Sequence, residues 1–182
     1  GEVSRLGSPL STPIVFVDGT TPLSDWTLGS TVNLASIVNN ASGAAYNPNT
    51  DSVWVPNNST NALYEYDTDG NYLRTITTGG FSDVEAVCWM YGSYFGILEE
   101  DTSSITVAQF LPSTGSIWKW ANQVIDTGLG NLDVLTGGGL EGVAYNPQED
   151  VFYAVKERQS ALPTRNGMKF YRIEWSGAYT EP

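Results

Sequence analysis

The sequence contains no histidine and a single cysteine, Cys88. Without histidine, the chain cannot build a Ser-His type of catalytic triad or a histidine-ligated zinc site, and it lacks the usual general base. One cysteine cannot form an intramolecular disulfide. Because Cys88 lies within an apolar run, we expect it to pack in the core.

Basic residues are also scarce: 8 Lys and Arg stand against 20 Asp and Glu, which gives a net charge of −12. Phosphate recognition needs a basic surface, so nucleic acid is excluded as an expected partner, while a cation ligand is compatible with this charge. Many of the carboxylates simply keep a surface soluble. No apolar stretch reaches the length of about 18 residues that a membrane span requires.

The residues that are abundant favour short strands and tight turns. Aromatic residues make up 12% of the chain, and there are 19 Gly and 9 Pro, but only 15% of residues are charged. Trp, Tyr, Val and Thr favour strands, whereas Gly, Asn, Asp and Pro favour turns. This composition predicts an all-β protein.

A sequence pattern recurs with a spacing of roughly 40 residues, which is typical of propeller blades. Ser42–Asn58 aligns without a gap with Glu141–Glu157, so that Tyr46-Asn47-Pro48 matches Tyr145-Asn146-Pro147. A third copy begins at Asp83-Val84-Glu85 and needs one deletion. The recurrence of Tyr-Asn-Pro at one unit position favours a propeller over a β-sandwich of unrelated hairpins.

Each unit reads as a series of short strands separated by turn signals such as Asp69-Gly70. The predicted strands are 43–46, 52–55, 62–66 and 72–76 in the first unit, 84–89, 94–98, 105–110 and 117–120 in the second, and 140–145, 151–155 and 169–175 in the third. In the third unit the chain ends where we expect the fourth strand to begin.

The predicted fold is therefore an all-β propeller of four-stranded blades, partial in this chain, with three blades plus an entering strand. We assign 1–25 to an extended N-terminal arm or linker, and 26–182 to blades at about 26–79, 80–137 and 138–182. Residues 26–38 are predicted to form the entering strand. The arm is alternatively a strand that pairs with a neighbouring subunit.

These elements resemble the SdiA-regulated family of bacterial β-propellers in their order and spacing over about residues 34–175. The matching motifs are Ser42-Gly43-Ala44, Asp83-Val84-Glu85-Ala86-Val87, Gly139-Leu140-Glu141-Gly142-Val143 and Lys156-Glu157. The family propeller has about six blades. The resemblance therefore implies that this chain is a fragment of a longer protein or, alternatively, that a second copy completes the ring.

Acidic residues recur at equivalent blade positions near one mouth of the predicted channel. The alignment gives Ser42, Glu85 and Glu141 one position at the start of the inner strand, and Asn58, Glu100 and Glu157 another at the end of the next strand. Hard cations such as Ca²⁺ prefer six to eight oxygen ligands. From this chemistry, and from the channel calcium of the family's relatives, we expect a calcium site of Glu85, Glu141, Glu100, Glu157 and Asn58.

Two structural interpretations of the same residues stay open. Lys156 and Arg158 are placed to neutralise Glu99, Glu100 and Glu157 in a buried ion-pair network. Alternatively, Glu141 caps backbone amides where its strand begins.

The functional prediction is a non-enzymatic, calcium-binding interaction module at an extracellular, periplasmic or virion surface. Its expected partners are proteins or further copies of the chain. We expect the tryptophans to pack mostly between blades, with carbohydrate stacking on an exposed subset as an alternative. One alternative is a phage or virion structural module, such as a tail or capsid-decorating protein, with a pairing arm. Another is a calcium-dependent hydrolase with Asp83 as the candidate base.

Overall fold

The computed structural model describes residues 31, 34, 37–129, 139–156, 169–176 and 179–180. The chain divides into the units Gly1–Thr31 and Val32–Pro182, and the described strands all belong to the second unit. The predicted arm 1–25 lies outside the described residues, as does most of the predicted entering strand. The end of that strand is instead a turn, because the amides of Ile37 and Val38 both donate to the Leu34 carbonyl at 3.2 Å.

The described residues form three antiparallel four-stranded sheets, one of which carries a fifth strand. Blade 1 comprises β1 (Ala45–Asn47), β2 (Ser52–Asn57), β3 (Ala62–Asp67) and β4 (Tyr72–Gly79). Blade 2 comprises β5 (Val84–Tyr91), β6 (Tyr94–Glu99), β7 (Ser104–Gln109) and β9 (Gln123–Asp126). Blade 3 comprises β10 (Leu140–Asn146), β11 (Val151–Lys156), β12 (Lys169–Ile173) and β13 (Tyr179–Thr180). Consecutive sheets of this kind confirm the predicted propeller blades.

The first hairpin turns of blades 1 and 3 are built alike. Asn47 Oδ1 accepts the Asn49 amide at 3.1 Å, and Asn146 Oδ1 accepts the Gln148 amide at 3.0 Å. The hydroxyl of the preceding tyrosine in each copy donates to the aspartate that ends the turn, Asp51 or Asp150. The repeated Tyr-Asn-Pro sequence is therefore a turn motif whose amide side chain replaces a backbone acceptor.

The prediction that residues 117–120 form the fourth strand of blade 2 was wrong. β8 (Ser116–Trp118) pairs in parallel with β4 of blade 1, while β9 completes blade 2 against β7. Ile117 packs into the core between the two blades, which explains why this apolar segment joins the neighbouring sheet. β9 has only four residues, of which Ile125 alone is buried, so the true edge strand gives a weak hydrophobic signal. Blade 3 does contain a fourth strand, β13.

Aromatic and aliphatic side chains fill the space between successive sheets. Between blades 1 and 2, the Trp54 and Phe110 rings meet edge to face at 4.8 Å, and Phe95 stacks on Phe110 at 4.2 Å. Between blades 2 and 3, Phe152 and Leu98 are fully buried in a second cluster that also contains Cys88. Burial raises the pKa of the Cys88 thiol to about 12, consistent with its predicted packing role.

Arg74 connects blade 1 to the turn that follows β7 of blade 2. Its Nε donates to Glu65 Oε2 at 2.6 Å. Its Nη1 donates to the carbonyl oxygens of Leu111, Pro112 and Thr114. The planar guanidinium satisfies both sets of acceptors at once, so the two sheets are held at a fixed spacing. Together with the packed cores, this contact fixes the inner strands β1, β5 and β10, which lie beside one another.

Candidate metal centre

The inner strands of blades 2 and 3 each begin with a β-bulge that contains a glutamate. Val84 pairs with Glu99 and Ala86 with Leu98, which leaves Glu85 as the extra residue. In blade 3, Leu140 pairs with Lys156 and Gly142 with Val155, which leaves Glu141 as the extra residue. Bulges redirect side chains relative to a regular strand. The sequence alignment that equated Glu85 with Glu141 therefore matches the pairing of the strands.

Three carboxylates converge where blade 2 begins. Asp83, Glu85 and Glu100 each offer an oxygen, and these oxygens all lie within 4.8 Å of one another. Asp83 has a left-handed backbone (φ 56°), and its carbonyl accepts the Glu100 amide at 2.9 Å. This bond joins the residue before β5 to the residue after β6, so both acidic side chains sit at the same end of the hairpin.

The neighbouring blades supply polar contacts to this cluster. From blade 1, Asn58 Nδ2 donates to Glu85 Oε1, and Ser42 also hydrogen-bonds Glu85. From the start of blade 3, the Gly139 amide donates to Glu100 Oε1 at 2.8 Å. A Cβ at Gly139 would overlap the Glu100 carboxylate, so only glycine permits this approach. The site is therefore assembled from three blades.

Burial and the neighbouring negative charges disfavour ionisation of Glu85 and Glu100. The pKa of Glu85 is raised from 4.5 to about 7, mainly by burial; a hydrogen bond from Ser42 opposes the rise, and the charges of Glu141 and Asp83 add to it. Burial also raises the pKa of Glu100, to about 8, assisted by a hydrogen bond with Asp83 and by the charge of Glu141. A cation among these groups would favour the ionised forms.

The structure brings together most of the predicted ligands. Glu85 and Glu100 belong to the cluster, Asn58 contacts Glu85, and Glu141 is near enough for its charge to act on both glutamates. Glu157 lies outside the described residues. The sequence predicted Asp83 only as a candidate base, although it lies directly before β5 and two residues before Glu85.

The predicted neutralisation of Glu99 by Lys156 was wrong. Glu99 is fully buried and pairs instead with Lys119 Nζ at 2.6 Å. Lys156 Nζ is buried and has no hydrogen-bond partner among the described residues, and Arg158 lies outside them. Among ion pairs between described residues, none involves Asp83, Glu85 or Glu100. Their charge is therefore not balanced by a basic side chain in the described part of the chain.

The donor set suits a hard cation. Carboxylate oxygens come from Asp83, Glu85 and Glu100, with Glu141 beside them, and Asn58 can present an amide oxygen after rotation of its side chain. With water, these groups reach the six to eight oxygens that Ca²⁺ takes in flexible geometry. A carboxylate oxygen of Asp83 lies within 4.8 Å of an oxygen of each glutamate, so Asp83 forms part of the cluster rather than a separate group.

Repeated four-stranded sheets, with an acidic cluster where the inner strand of blade 2 begins, define a β-propeller with a candidate cation site. The SdiA-regulated family model matches residues 23–172. The chain belongs to the SdiA-regulated family, as its blade motifs predicted.

Solved structures with the same fold share little sequence with this chain. Hydrazine synthase from Kuenenia stuttgartiensis has a TM-score of 0.51 at 14% identity, over 78% of this chain and 36% of that one. A nidogen/laminin complex has a TM-score of 0.53 at 16% identity, over 78% of this chain and 47% of that one. A luciferin-regenerating enzyme has a TM-score of 0.55 at 10% identity, over 81% of this chain and 47% of that one. The chain thus spans less than half of each relative, and the similarity concerns the fold alone.

In the described part of the chain, no helix has the length and apolarity needed to cross a membrane.

Proposed function

We propose that this propeller is a non-enzymatic interaction module that binds Ca²⁺ at the mouth of its channel. The observation that carries the proposal is the convergence of Asp83, Glu85 and Glu100 within 4.8 Å, with Glu141 of the next blade close enough to raise the pKa values of both glutamates. Such a group of like charges is unfavourable by itself and becomes favourable around a divalent cation.

The chemistry of the donors supports calcium over other metals. Zinc prefers imidazole and thiolate ligands, but the chain has no histidine and Cys88 is buried in the core. Magnesium demands regular octahedral geometry and retains several waters, whereas calcium accepts irregular sets of carboxylates and amides. The donors here come from bulges and turns of different blades, which favours the more tolerant ion.

The proposed role of calcium is to join the blades at this rim. A cation shared by blade 2 and its neighbours would replace repulsion between Glu85, Glu100 and Glu141 with attraction, and would fix the loops that surround the channel mouth. A rigid rim lowers the entropic cost of holding a partner. The Asp83 carboxylate lies within 4.8 Å of both glutamate carboxylates, which supports a structural site over a hydrolase that needs a free base.

The proposal is tested by calorimetric titration of the protein with Ca²⁺ and Mg²⁺, combined with thermal unfolding in chelator and in calcium. We expect calcium to raise the unfolding temperature and to outcompete magnesium. Glu85→Gln is expected to abolish the effect, while Glu149→Gln, an exposed carboxylate of blade 3, leaves it intact. A titration without heat, together with identical unfolding in chelator and calcium, would show that the proposal is wrong.

A further inference from the structure

Two tryptophans lie exposed side by side on blade 1. Trp118 is 53% exposed and Trp120 is 70% exposed. Their ring centroids are 6.0 Å apart and the rings are inclined by 39°. Tryptophan normally buries most of its large apolar surface, so two exposed neighbours form a feature that packing among the described residues does not explain.

Each indole rests on a glycine at the end of β4. Trp118 pairs with Gly79 in the parallel β4–β8 ladder, and a Cβ on Gly79 would lie 2.5 Å from the Trp118 ring. A Cβ on Gly80 would likewise overlap the ring of Trp120. Each ring therefore lies against bare backbone on one side, while more than half of each tryptophan stays exposed. The rings are exposed without being loosely held.

The residue between the tryptophans anchors this segment. Lys119 Nζ contacts the buried Glu99 carboxylate at 2.6 Å and donates to Thr102 and Ser104 hydroxyls at 3.1 Å. Asn122 Nδ2 donates to the Trp118 carbonyl at 2.8 Å. These bonds fix the backbone that carries the rings. Because the ammonium group of Lys119 pairs with Glu99, this lysine does not present a positive charge beside the two indoles.

We propose that Trp118 and Trp120 form a carbohydrate-binding platform that takes two consecutive rings of a neutral oligosaccharide. The C–H face of a pyranose stacks on an indole face, and its hydroxyl groups need donors and acceptors at the edge of the contact. Among hydrogen bonds between described residues, neither indole N–H is used as a donor. The polar residues Asn122 and Gln123 lie two and three positions after Trp120 in the sequence.

Charge and size favour this ligand over other partners. A net charge of −12 disfavours nucleic acid and anionic lipid. A stable protein interface needs about 800 Å² from each partner, more than two indole faces supply. Short saccharides, by contrast, match a rigid platform of two rings. This platform uses residues outside the proposed calcium site and is independent of it.

The test is a heteronuclear NMR titration of the indole N–H signals, in chelator, with the tetrasaccharides of chitin, cellulose, xylan and starch as probes. We expect at least one probe to shift the signals of both Trp118 and Trp120. Trp120→Ala is expected to weaken binding about tenfold or more. Gly79→Ala, which keeps both rings but displaces one from its seat, should also weaken it.

Tyr91→Ala is the matched control, because Tyr91 and Tyr94 form another exposed aromatic pair with ring centroids 5.4 Å apart. We expect this variant to bind like the unmodified protein. The proposal is overturned if no probe shifts either signal at millimolar concentration, or if shifts persist in Trp120→Ala. It is also overturned if the signals move only with protein concentration or with added lipid vesicles, which would identify a self-association or membrane surface.

Discussion

Glu85 and Glu141 occupy the same bulged position in two consecutive blades, each one residue after the first paired residue of its inner strand. Blade 1 has a related irregularity, since Ala41 lies opposite Asn57 while Ala45 lies opposite Trp54. The repeat therefore supplies one geometry three times, but an acidic side chain only twice. Any cation here is expected to bind asymmetrically, on the side of the second and third blades.

The stability of the calcium-free protein should fall as the pH rises from about 5 to about 8. The pKa values of Glu85 and Glu100 are raised from 4.5 to about 7 and about 8 in the folded protein. Across this window the folded state binds more protons than the unfolded chain, so deprotonation favours unfolding. Thermal unfolding in chelator at successive pH values measures the slope.

Calcium should remove this pH dependence, because it stabilises the ionised carboxylates. The double variant Glu85→Gln/Glu100→Gln should remove it without calcium. A melting temperature in chelator that rises with pH across the same window would contradict the assignment of these two groups.

Asp83→Asn should weaken calcium binding about 10- to 100-fold without unfolding the protein. Asparagine tolerates the left-handed backbone of this position (φ 56°), so the substitution removes charge while keeping the turn. Calorimetric titration measures the affinity, and Asp101→Asn is the matched control because its carboxylate contacts Ser82 instead. Equal losses in both variants would indicate a general effect of surface charge.

Lys119→Met should destabilise the protein by about 3–5 kcal/mol, because it leaves the fully buried Glu99 without its ion partner. Urea unfolding measures the loss. A second substitution, Glu99→Leu, should recover much of it by removing the unpaired charge. If the double variant is no more stable than the single one, the burial of Glu99 is not the cause of the destabilisation.

Gly96→Ala should destabilise the protein by about 1–3 kcal/mol through overpacking between blades 2 and 3. The added Cβ would lie 2.8 Å from the Phe152 ring and 3.1 Å from Cys88 Sγ. Gly115→Ala is the control, since its Cβ would meet nothing within 4 Å. Unfolding curves of the two variants compare the effects, and equal changes would argue against a packing origin.

The fold was largely predictable because its repeat is marked by turn chemistry. Asn47 and Asn146 make the same bond in the same turn, and such local signals survive in a single sequence. The order of the outer strands was not predictable. Ile117 has the apolar character of a blade strand but packs in the core between two blades, and sequence patterns do not say which neighbour an edge strand joins.

The candidate site was predicted in part, for a similar reason. Register predicted that Glu85 and Glu100 lie close together, as they do, because the two positions follow from strand pairing. Asp83 was assigned a different role, because its position depends on a left-handed turn at the start of the hairpin. The choice of Lys119 over Lys156 as the partner of Glu99 depends on a contact between distant segments, which local patterns do not encode.

The parallel pairing of β8 with β4 has a consequence for how the protein unfolds. Blades of a repeat protein usually separate in succession, since each contacts only its neighbours. Here β8, which follows β7 of blade 2, is hydrogen-bonded into the sheet of blade 1. Separation of β8 from blade 1 would therefore also disturb the segment that leads to β9, the edge strand of blade 2. In hydrogen exchange, the amides of these two blades should open as one cooperative unit, with those of blade 3 exchanging through a separate, less costly opening.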